Sequence, residues 1–189
     1  MLFTKYLFRS LLFPILTISS LHAAASPTVG ERAPEFQLTT VDGRTLRLSE
    51  TTSNGPVVLL VLRGYPGYQC PFCTRQIQQF IREAPKFTAA GAQVVMVYPG
   101  PPQDLQKRAM EFLSERPLPA GFHLVLDPDY QFTNRYGLRW DAPRETAYPS
   151  TFLIDRHGIV FFTKIVKAHG GRTSPQEILD VLPNPPSPR

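Results

Sequence analysis

Residues 57–80, VVLLVLRGYPGYQCPFCTRQIQQF, decide the fold of this chain, because they run from an apolar segment through a Gly/Pro loop into a helix that opens with Cys-X-X-Cys. The run 57–62 is continuously apolar, as is typical of a strand buried on both faces of a parallel sheet. Pro71 falls on the first helical position, where a missing N–H costs nothing. The stretch therefore predicts a strand–loop–helix unit with Cys70 at the helix N-terminus.

Both cysteines of the protein lie in this motif. The positive end of a helix favours thiolate over thiol, and the thiolate is the species that attacks disulfides and peroxides. Cys73 lies on the helical stripe that is expected to face the core, together with Ile77, Phe80, Ile81 and Ala84. We predict an exposed attacking sulfur at Cys70 and a buried resolving sulfur at Cys73.

A Cys-X-X-Cys pair also occurs in inert structural disulfides and as half of a zinc site. A zinc site needs two further ligands, usually a second such pair or two closely spaced histidines. The histidines stand singly, at positions 22, 123, 157 and 169, and the last three are interpreted as ordinary strand, turn and loop residues. The strand–loop–helix context favours redox use of the pair, with a structural disulfide and metal binding as the alternatives.

Strand patterns alternate with helical patterns along the rest of the chain, which predicts an α/β fold with a parallel sheet. The predicted strands are 36–40 and 44–48, joined by an Asp42-Gly43 turn, then 93–98, 122–126, 150–155 and 159–163. The predicted helices are the site helix to about residue 86, then 104–115, 127–138 and 174–182, the last with Ser174 as N-cap.

The two ends of the chain differ from this globular part. Residues 1–25 have the pattern of an export signal: Lys5 and Arg9, an apolar run at 10–21, and small residues at 23–25. The apolar run is short for a bilayer span, although an uncleaved anchor is an alternative. Residues 183–189, PNPPSPR, predict a proline-rich disordered tail. One domain at 26–182 remains, and the protein is expected to be secreted or periplasmic.

The charge excludes one class of partner. The formal net charge is +5, and it becomes +3 when Lys5 and Arg9 leave with the signal. Since no basic run interleaves with aromatic residues, nucleic acid is not an expected partner. No cofactor is expected. In an oxidising compartment a free Cys-X-X-Cys pair drifts to the disulfide, so an external electron donor is expected as a partner.

Residues 28–182 resemble the alkyl hydroperoxide reductase/thiol-specific antioxidant (AhpC/TSA) family of the thioredoxin-fold superfamily, which includes peroxiredoxins and extracytoplasmic thioredoxin-like oxidoreductases. Three blocks carry the resemblance: VGERAPEFQLTTVDGRTLRLSE at 29–50, VVLLVLRGYPGYQCPFC at 57–73 and YPSTFLIDRHGIVFF at 148–162. The resemblance implies a thioredoxin-like fold with an N-terminal β-hairpin and a central mixed sheet flanked by helices.

The resemblance admits two assignments of the attacking cysteine. Peroxiredoxins have the pattern P-x-x-x-T-x-x-C, which Pro66 to Cys73 match except that Cys70 stands in place of the Thr. In that pattern Cys73 would attack peroxide. In the thioredoxin pattern Cys70 is the nucleophile.

The resemblance also gives a role to residues before strand 150–155. It implies a cis Pro149 opposite the cysteines and a Tyr148 backbone that pairs with a bound peptide or mixed disulfide. Peroxiredoxins carry a peroxide-polarising Arg at about this place, and Arg63, Arg139 or Arg144 are the candidates to replace it.

Trp140 and Asp141 are candidate site-lining residues, and Asp141 or Glu145 are candidates for the buried acid that thioredoxins use to move protons.

The favoured function is a thiol–disulfide oxidoreductase that cycles Cys70 and Cys73, with a protein or small-molecule disulfide as partner. A thiol peroxidase that reduces hydroperoxides is the alternative, and a metal-delivery module of the same fold is the third hypothesis. A membrane partner is expected only if the signal segment stays uncleaved.

Overall fold

The computed structural model describes residues 25–114 and 116–182, which form a seven-stranded mixed sheet flanked by helices. The strands are β1 (Gln37–Thr40), β2 (Thr45–Arg47), β3 (Val57–Val61), β4 (Gln93–Gly100), β5 (Phe122–Pro128), β6 (Ser150–Ile154) and β7 (Val160–Ile165). Their order across the sheet is β2-β1-β5-β4-β3-β6-β7. The α/β class and the β-hairpin in front of the core are confirmed.

Only the centre of the sheet is parallel. β3, β4 and β5 run parallel, while β6 and β7 extend one side and β1 and β2 the other, all by antiparallel pairing. The parallel pairing predicted from the strand–helix alternation holds for the three central strands, and the mixed sheet that the family resemblance implied is confirmed. Short turns permit antiparallel pairing, whereas parallel neighbours need long crossovers.

The helices are α1 (Leu48–Ser53), α2 (Pro71–Arg82), α3 (Ala84–Ala89), α4 (Leu105–Phe112), α5 (Gln131–Arg135) and α6 (Pro175–Leu179). The buried side chains of α2, α3, α4 and α6 pack on one face of the sheet, and those of α1 and α5 pack on the other. The apolar run of β3 is fully buried because it faces both layers.

Four local predictions need correction. The helix predicted at 127–138 is the shorter α5, and residues 127 and 128 belong to β5. The site helix ends at Arg82, and a separate helix α3 begins at Ala84 with Pro85 in its first turn, because proline lacks the N–H that would continue the ladder. β4 continues through Pro99 to Gly100 and does not stop at Tyr98. The pattern analysis did not predict the short helix α1.

The predicted export signal and proline-rich tail lie outside the described residues, apart from Ala25. Within the described part of the chain, none of the helices has both the length and the apolarity that a membrane crossing requires.

Candidate active site

The two cysteines lie where the chain passes from β3 into α2. Gly64, three residues after the end of β3, has φ +66°, and a Cβ built on it would overlap the Pro99 carbonyl oxygen of β4. The backbone therefore turns at a place that only glycine can occupy. The loop that follows ends at Cys70, which is the N-cap residue of α2, with Pro71 in the first helical turn as predicted.

The Cys70 sulfur accepts a hydrogen bond from the backbone N–H of Cys73, at 3.4 Å. Cys73 is fully buried, as expected, but Cys70 is only 1% exposed. The predicted exposure of Cys70 is therefore wrong. Its sulfur is covered because the guanidinium of Arg172 lies over the pair, with Nη2 at 3.8 Å from Cys70 Sγ.

The two thiols differ strongly in acidity. Hydrogen bonds from the Cys73 side chain and backbone, together with the Arg172 charge, lower the pKa of Cys70 to about 5 against the opposing effect of burial. Burial, and then the hydrogen bond to Cys70, raise the pKa of Cys73 well above its usual value. At neutral pH the pair therefore consists of a Cys70 thiolate and a Cys73 thiol.

Arg172 is a residue of this site that sequence reasoning missed. Its Nη1 donates to Cys73 Sγ at 3.3 Å, and its Nε donates to the backbone oxygen of His169 at 3.0 Å. No local pattern marks it, since it follows two glycines in the loop after β7. The sheet order contains the signal, because Ile165 at the end of β7 pairs with Ser150, and Ser150 pairs with Val61 at the end of β3.

A buried ion pair lies beside the cysteines. Arg63, predicted as a candidate cation of the pocket, is 3% exposed and donates to the Glu145 carboxylate and, at 2.6 Å, to the Arg144 carbonyl. The other Glu145 oxygen lies 2.9 Å from His169 Nε2. Burial alone would raise the pKa of Glu145, but the hydrogen bonds from Arg63 and His169 outweigh it and lower this pKa.

Glu145 is thus the acid that the structure brings into the network, whereas Asp141 is exposed at 95% of its side chain. His169, interpreted from sequence as an ordinary loop residue, is part of the network as well. It lies 24 residues from Glu145 in the chain, so no sequence spacing indicated the contact.

Aromatic side chains surround this network. The ring of Trp140 stacks on Tyr148 at a centroid distance of 4.9 Å and lies 5.3 Å from the ring of His169, which is 6.2 Å from the ring of Phe72. Phe72 stands between the two cysteines in sequence and is 43% exposed. Trp140, Tyr148, Phe72 and Tyr68, which packs against Arg63, are called the aromatic rim below.

Pro149 lies at the start of β6, buried, with its carbonyl accepting from Val166 N at 2.9 Å. Its peptide bond is trans, as are all the peptide bonds of the described residues. The predicted cis bond is wrong, and the observed form is the one that X-Pro bonds intrinsically favour. Pro66 lies half-buried in the loop between β3 and Cys70.

Two of the arginines predicted as candidate peroxide donors have other contacts. Arg139 Nη1 donates to the Trp140 and Thr146 carbonyls, and its guanidinium carbon lies 4.1 Å from the centre of the Tyr130 ring. Arg144 is exposed, at φ +61°. Both arginines therefore belong to the loop before β6, and among residues 25–114 and 116–182 neither guanidinium donates a hydrogen bond to a cysteine sulfur.

Within residues 25–114 and 116–182, no group of three or more His, Cys, Asp or Glu side chains is placed to hold a metal ion.

Comparisons with known proteins agree with this geometry. The model of the AhpC/TSA family matches residues 29–163. A Mycobacterium tuberculosis protein, whose name assigns it provisionally to the peroxiredoxins, is 30% identical over 150 residues, which are 76% of this chain and 88% of that protein. The thiol-disulfide oxidoreductase ResA of Geobacillus thermodenitrificans is 31% identical over 132 residues, 70% of this chain and 66% of ResA.

Among solved structures, one from Chlorobium tepidum is provisionally titled a thiol:disulfide interchange protein DsbE. It superposes with a TM-score of 0.61 at 28% identity, and the match covers 83% of this chain and 99% of that one. Relatives of both kinds, peroxiredoxins and disulfide oxidoreductases, therefore share this fold.

Proposed function

Since the chain belongs to the AhpC/TSA family and is a thiol-based oxidoreductase, we propose that it exchanges electrons with disulfides by cycling Cys70 and Cys73 between dithiol and disulfide. One observation carries this proposal. The sulfur at the N-terminus of α2 accepts the Cys73 N–H at 3.4 Å and lies 3.8 Å from the Arg172 guanidinium, contacts that lower the pKa of Cys70, while its neighbour is a fully buried thiol of raised pKa. An acidic attacking thiolate and a protonated resolving thiol are what stepwise disulfide exchange requires.

The reaction follows from this difference. The Cys70 thiolate attacks one sulfur of a partner disulfide, forms a mixed disulfide and releases the other sulfur as a thiolate, which takes a proton from water. Cys73 then loses its proton and attacks Cys70 Sγ. This step forms the Cys70–Cys73 disulfide and releases the second partner thiolate. The partner has gained two electrons, and an external dithiol or membrane reductase supplies two others, which reduce the Cys70–Cys73 disulfide back to the dithiol.

The partner, a protein or small-molecule disulfide, docks on the aromatic rim. Phe72 and Tyr68 are 43% and 44% exposed, which is high for large apolar side chains next to a reactive sulfur. In this proposal Trp140 and Tyr148 contact the partner, Pro149 and Pro66 shape the opening, and Arg63 holds the loop before β6 through its Glu145 pair.

We also propose that the protein works outside the cytoplasm. The support is the charged start, apolar run and small residues of positions 1–25. In such a compartment the electron donor decides whether the pair is kept reduced.

Peroxide reduction is the second candidate function, and the guanidinium of Arg172 at 3.3 Å from Cys73 Sγ is the observation that favours it. In that reaction a cysteine thiolate takes one peroxide oxygen to become sulfenic acid and releases water or alcohol, and the neighbouring thiol closes the disulfide with loss of water. Against this candidate, the buried Cys73 thiol has a raised pKa, and Cys70 stands where peroxiredoxins place a hydroxyl.

Stopped-flow oxidation of the reduced protein separates the two functions. We expect rapid reaction with a disulfide and reaction with hydrogen peroxide at about the rate of an ordinary low-pKa thiolate. The reason is that, among residues 25–114 and 116–182, Cys70 Sγ accepts from the Cys73 N–H and the Arg172 guanidinium and from no hydroxyl group. Cys70→Ser is the control and should abolish the disulfide reaction. A peroxide rate orders of magnitude above that of a free thiolate, retained in Cys70→Ser, would assign the peroxidase function instead.

A further inference from the structure

The side chain of Arg172 bridges the two sulfurs. Its Nη1 lies 3.3 Å from Cys73 Sγ and its Nη2 lies 3.8 Å from Cys70 Sγ. The guanidinium is fixed from two sides, since Nε donates to the His169 carbonyl at 3.0 Å and Nη1 also donates to Gln76 Oε1 at 3.4 Å. The cation is therefore held in position over the pair and does not swing freely in solvent.

The charge of Arg172 has no carboxylate partner within 4 Å among residues 25–114 and 116–182. Its near neighbours are two sulfurs, an amide oxygen and a backbone carbonyl. In the reduced protein the Cys70 thiolate provides the negative charge. Once Cys70 is bonded to a partner, that charge is gone and Cys73 Sγ is the remaining ionisable neighbour.

We propose that Arg172 is a catalytic residue of the resolving step, in which it stabilises the thiolate of Cys73 while that sulfur attacks Cys70 Sγ. This inference rests on the proposed disulfide exchange. In the step, Cys73 gives its proton to solvent, the new Cys70–Cys73 bond forms, the bond from Cys70 to the partner breaks, and the partner leaves as a thiolate. Cys73 is fully buried, so without a nearby cation its thiolate would be strongly disfavoured.

The size of the effect follows from two opposing influences on the rate. A hydrogen bond from a cation to a thiolate changes the thiolate fraction by about 10- to 100-fold. A less acidic thiol is a better nucleophile, and this recovers roughly half of the loss on a logarithmic scale. Removal of the guanidinium should therefore slow resolution about three- to tenfold.

The first step should respond differently. The Cys70 thiol, with a pKa of about 5, stays mostly ionised at neutral pH even if loss of Arg172 raises that pKa by about one unit. The attack by Cys70 should consequently not slow, and it should speed up by no more than about threefold, because a less acidic thiol gives the better nucleophile.

The test uses Arg172→Gln and the neutral probe 4,4'-dithiodipyridine, which releases one thiopyridone on attack and a second on resolution. Stopped-flow absorbance resolves both phases in the full chain. We expect the second phase to slow about three- to tenfold while the first is not slowed and speeds up by at most about threefold. Arg172→Lys should fall closer to wild type because it keeps the cation. Arg75→Gln, which removes an exposed cation packed on Phe72, is the matched control and should leave both phases unchanged.

A second variant keeps the arginine. Gln76→Glu places a carboxylate where Arg172 now meets an amide oxygen, so it should neutralise the cation and slow the second phase selectively. Gln76→Glu replaces Arg172→Gln as the test variant if Arg172→Gln does not fold. Equal slowing of both phases, or an unchanged second phase in both variants, would overturn the role of Arg172. If the wild-type protein releases only one thiopyridone, the proposed disulfide cycle itself fails, whatever the variants do.

Discussion

At the scale of single residues, the chemistry depends on the different environments of two cysteines three positions apart. Cys70 is the N-cap of α2 and receives hydrogen bonds and the Arg172 charge, whereas Cys73 is one turn inside the helix and in the core. The sequence predicted this order of acidity from the helix start alone. It did not predict that both sulfurs are buried, because the cover comes from Arg172, 102 residues further along the chain.

The first prediction concerns the titration of the reduced protein. Followed by thiolate absorbance from pH 3 to pH 8, one thiolate should appear with a midpoint of about 5, and the second should not appear in this range. Cys70→Ser should lose the transition. Cys73→Ala should keep it with a higher midpoint, since the hydrogen bond from the Cys73 thiol does more than any other contact to lower the Cys70 pKa. A transition that survives in Cys70→Ser and disappears in Cys73→Ala would contradict the assignment.

The network of Arg63, Glu145 and His169 illustrates what a sequence leaves undetermined at this scale. Arg63 and Glu145 were separate candidates, and their pairing crosses 82 residues of chain. Whether a charged side chain is solvated or buried depends on which partner the fold brings to it, and local composition does not contain that partner.

At the scale of elements, patterns gave most of the strands and helices. Alternation and apolar runs predicted all seven strands, and Ser174 was correctly predicted as the N-cap of α6, where its hydroxyl accepts from Glu177 N at 3.2 Å. Two of the boundaries that failed lie at prolines. Pro85 divides the site helix, and Pro99 stays in β4, where its carbonyl accepts from Tyr65 N at 2.9 Å.

The second prediction tests the turn that joins β3 to the site loop. Gly64→Ala and Gly43→Ala both force alanine into a left-handed conformation, at φ +66° and φ +85°, which costs about 1–2 kcal/mol in each. Only Gly64→Ala also places its Cβ against the Pro99 carbonyl, which adds about 1–3 kcal/mol. Urea unfolding should therefore show the larger loss of unfolding free energy for Gly64→Ala. Equal losses in the two variants would contradict the claim that the close approach of the Pro99 carbonyl requires glycine at position 64.

At the scale of the whole molecule, the sheet order assembles the site. The C-terminal ends of β3 and β7 and the N-terminal start of β6 lie at the same end of the sheet, as the pairing of Val61 with Ser150 and of Ser150 with Ile165 shows. This end of the sheet brings together the cysteine loop, the aromatic residues before β6 and Arg172 after β7. The resemblance to a known family supplied this topology in outline, but the place of Arg172 depends on the course of a loop that no motif describes.

The central claim is that Cys70 attacks and Cys73 resolves, and trapping of mixed disulfides tests it most directly. Cys73→Ser keeps the attacking thiolate and removes its resolver, so it should accumulate mixed disulfides with a disulfide-bonded partner protein. Cys70→Ser should accumulate none. Samples of both variants are quenched in acid and compared on non-reducing gels, with the double variant as control. Trapping by Cys73→Ser alone is the predicted result, whereas trapping by Cys70→Ser, or equally by both variants, would contradict the account.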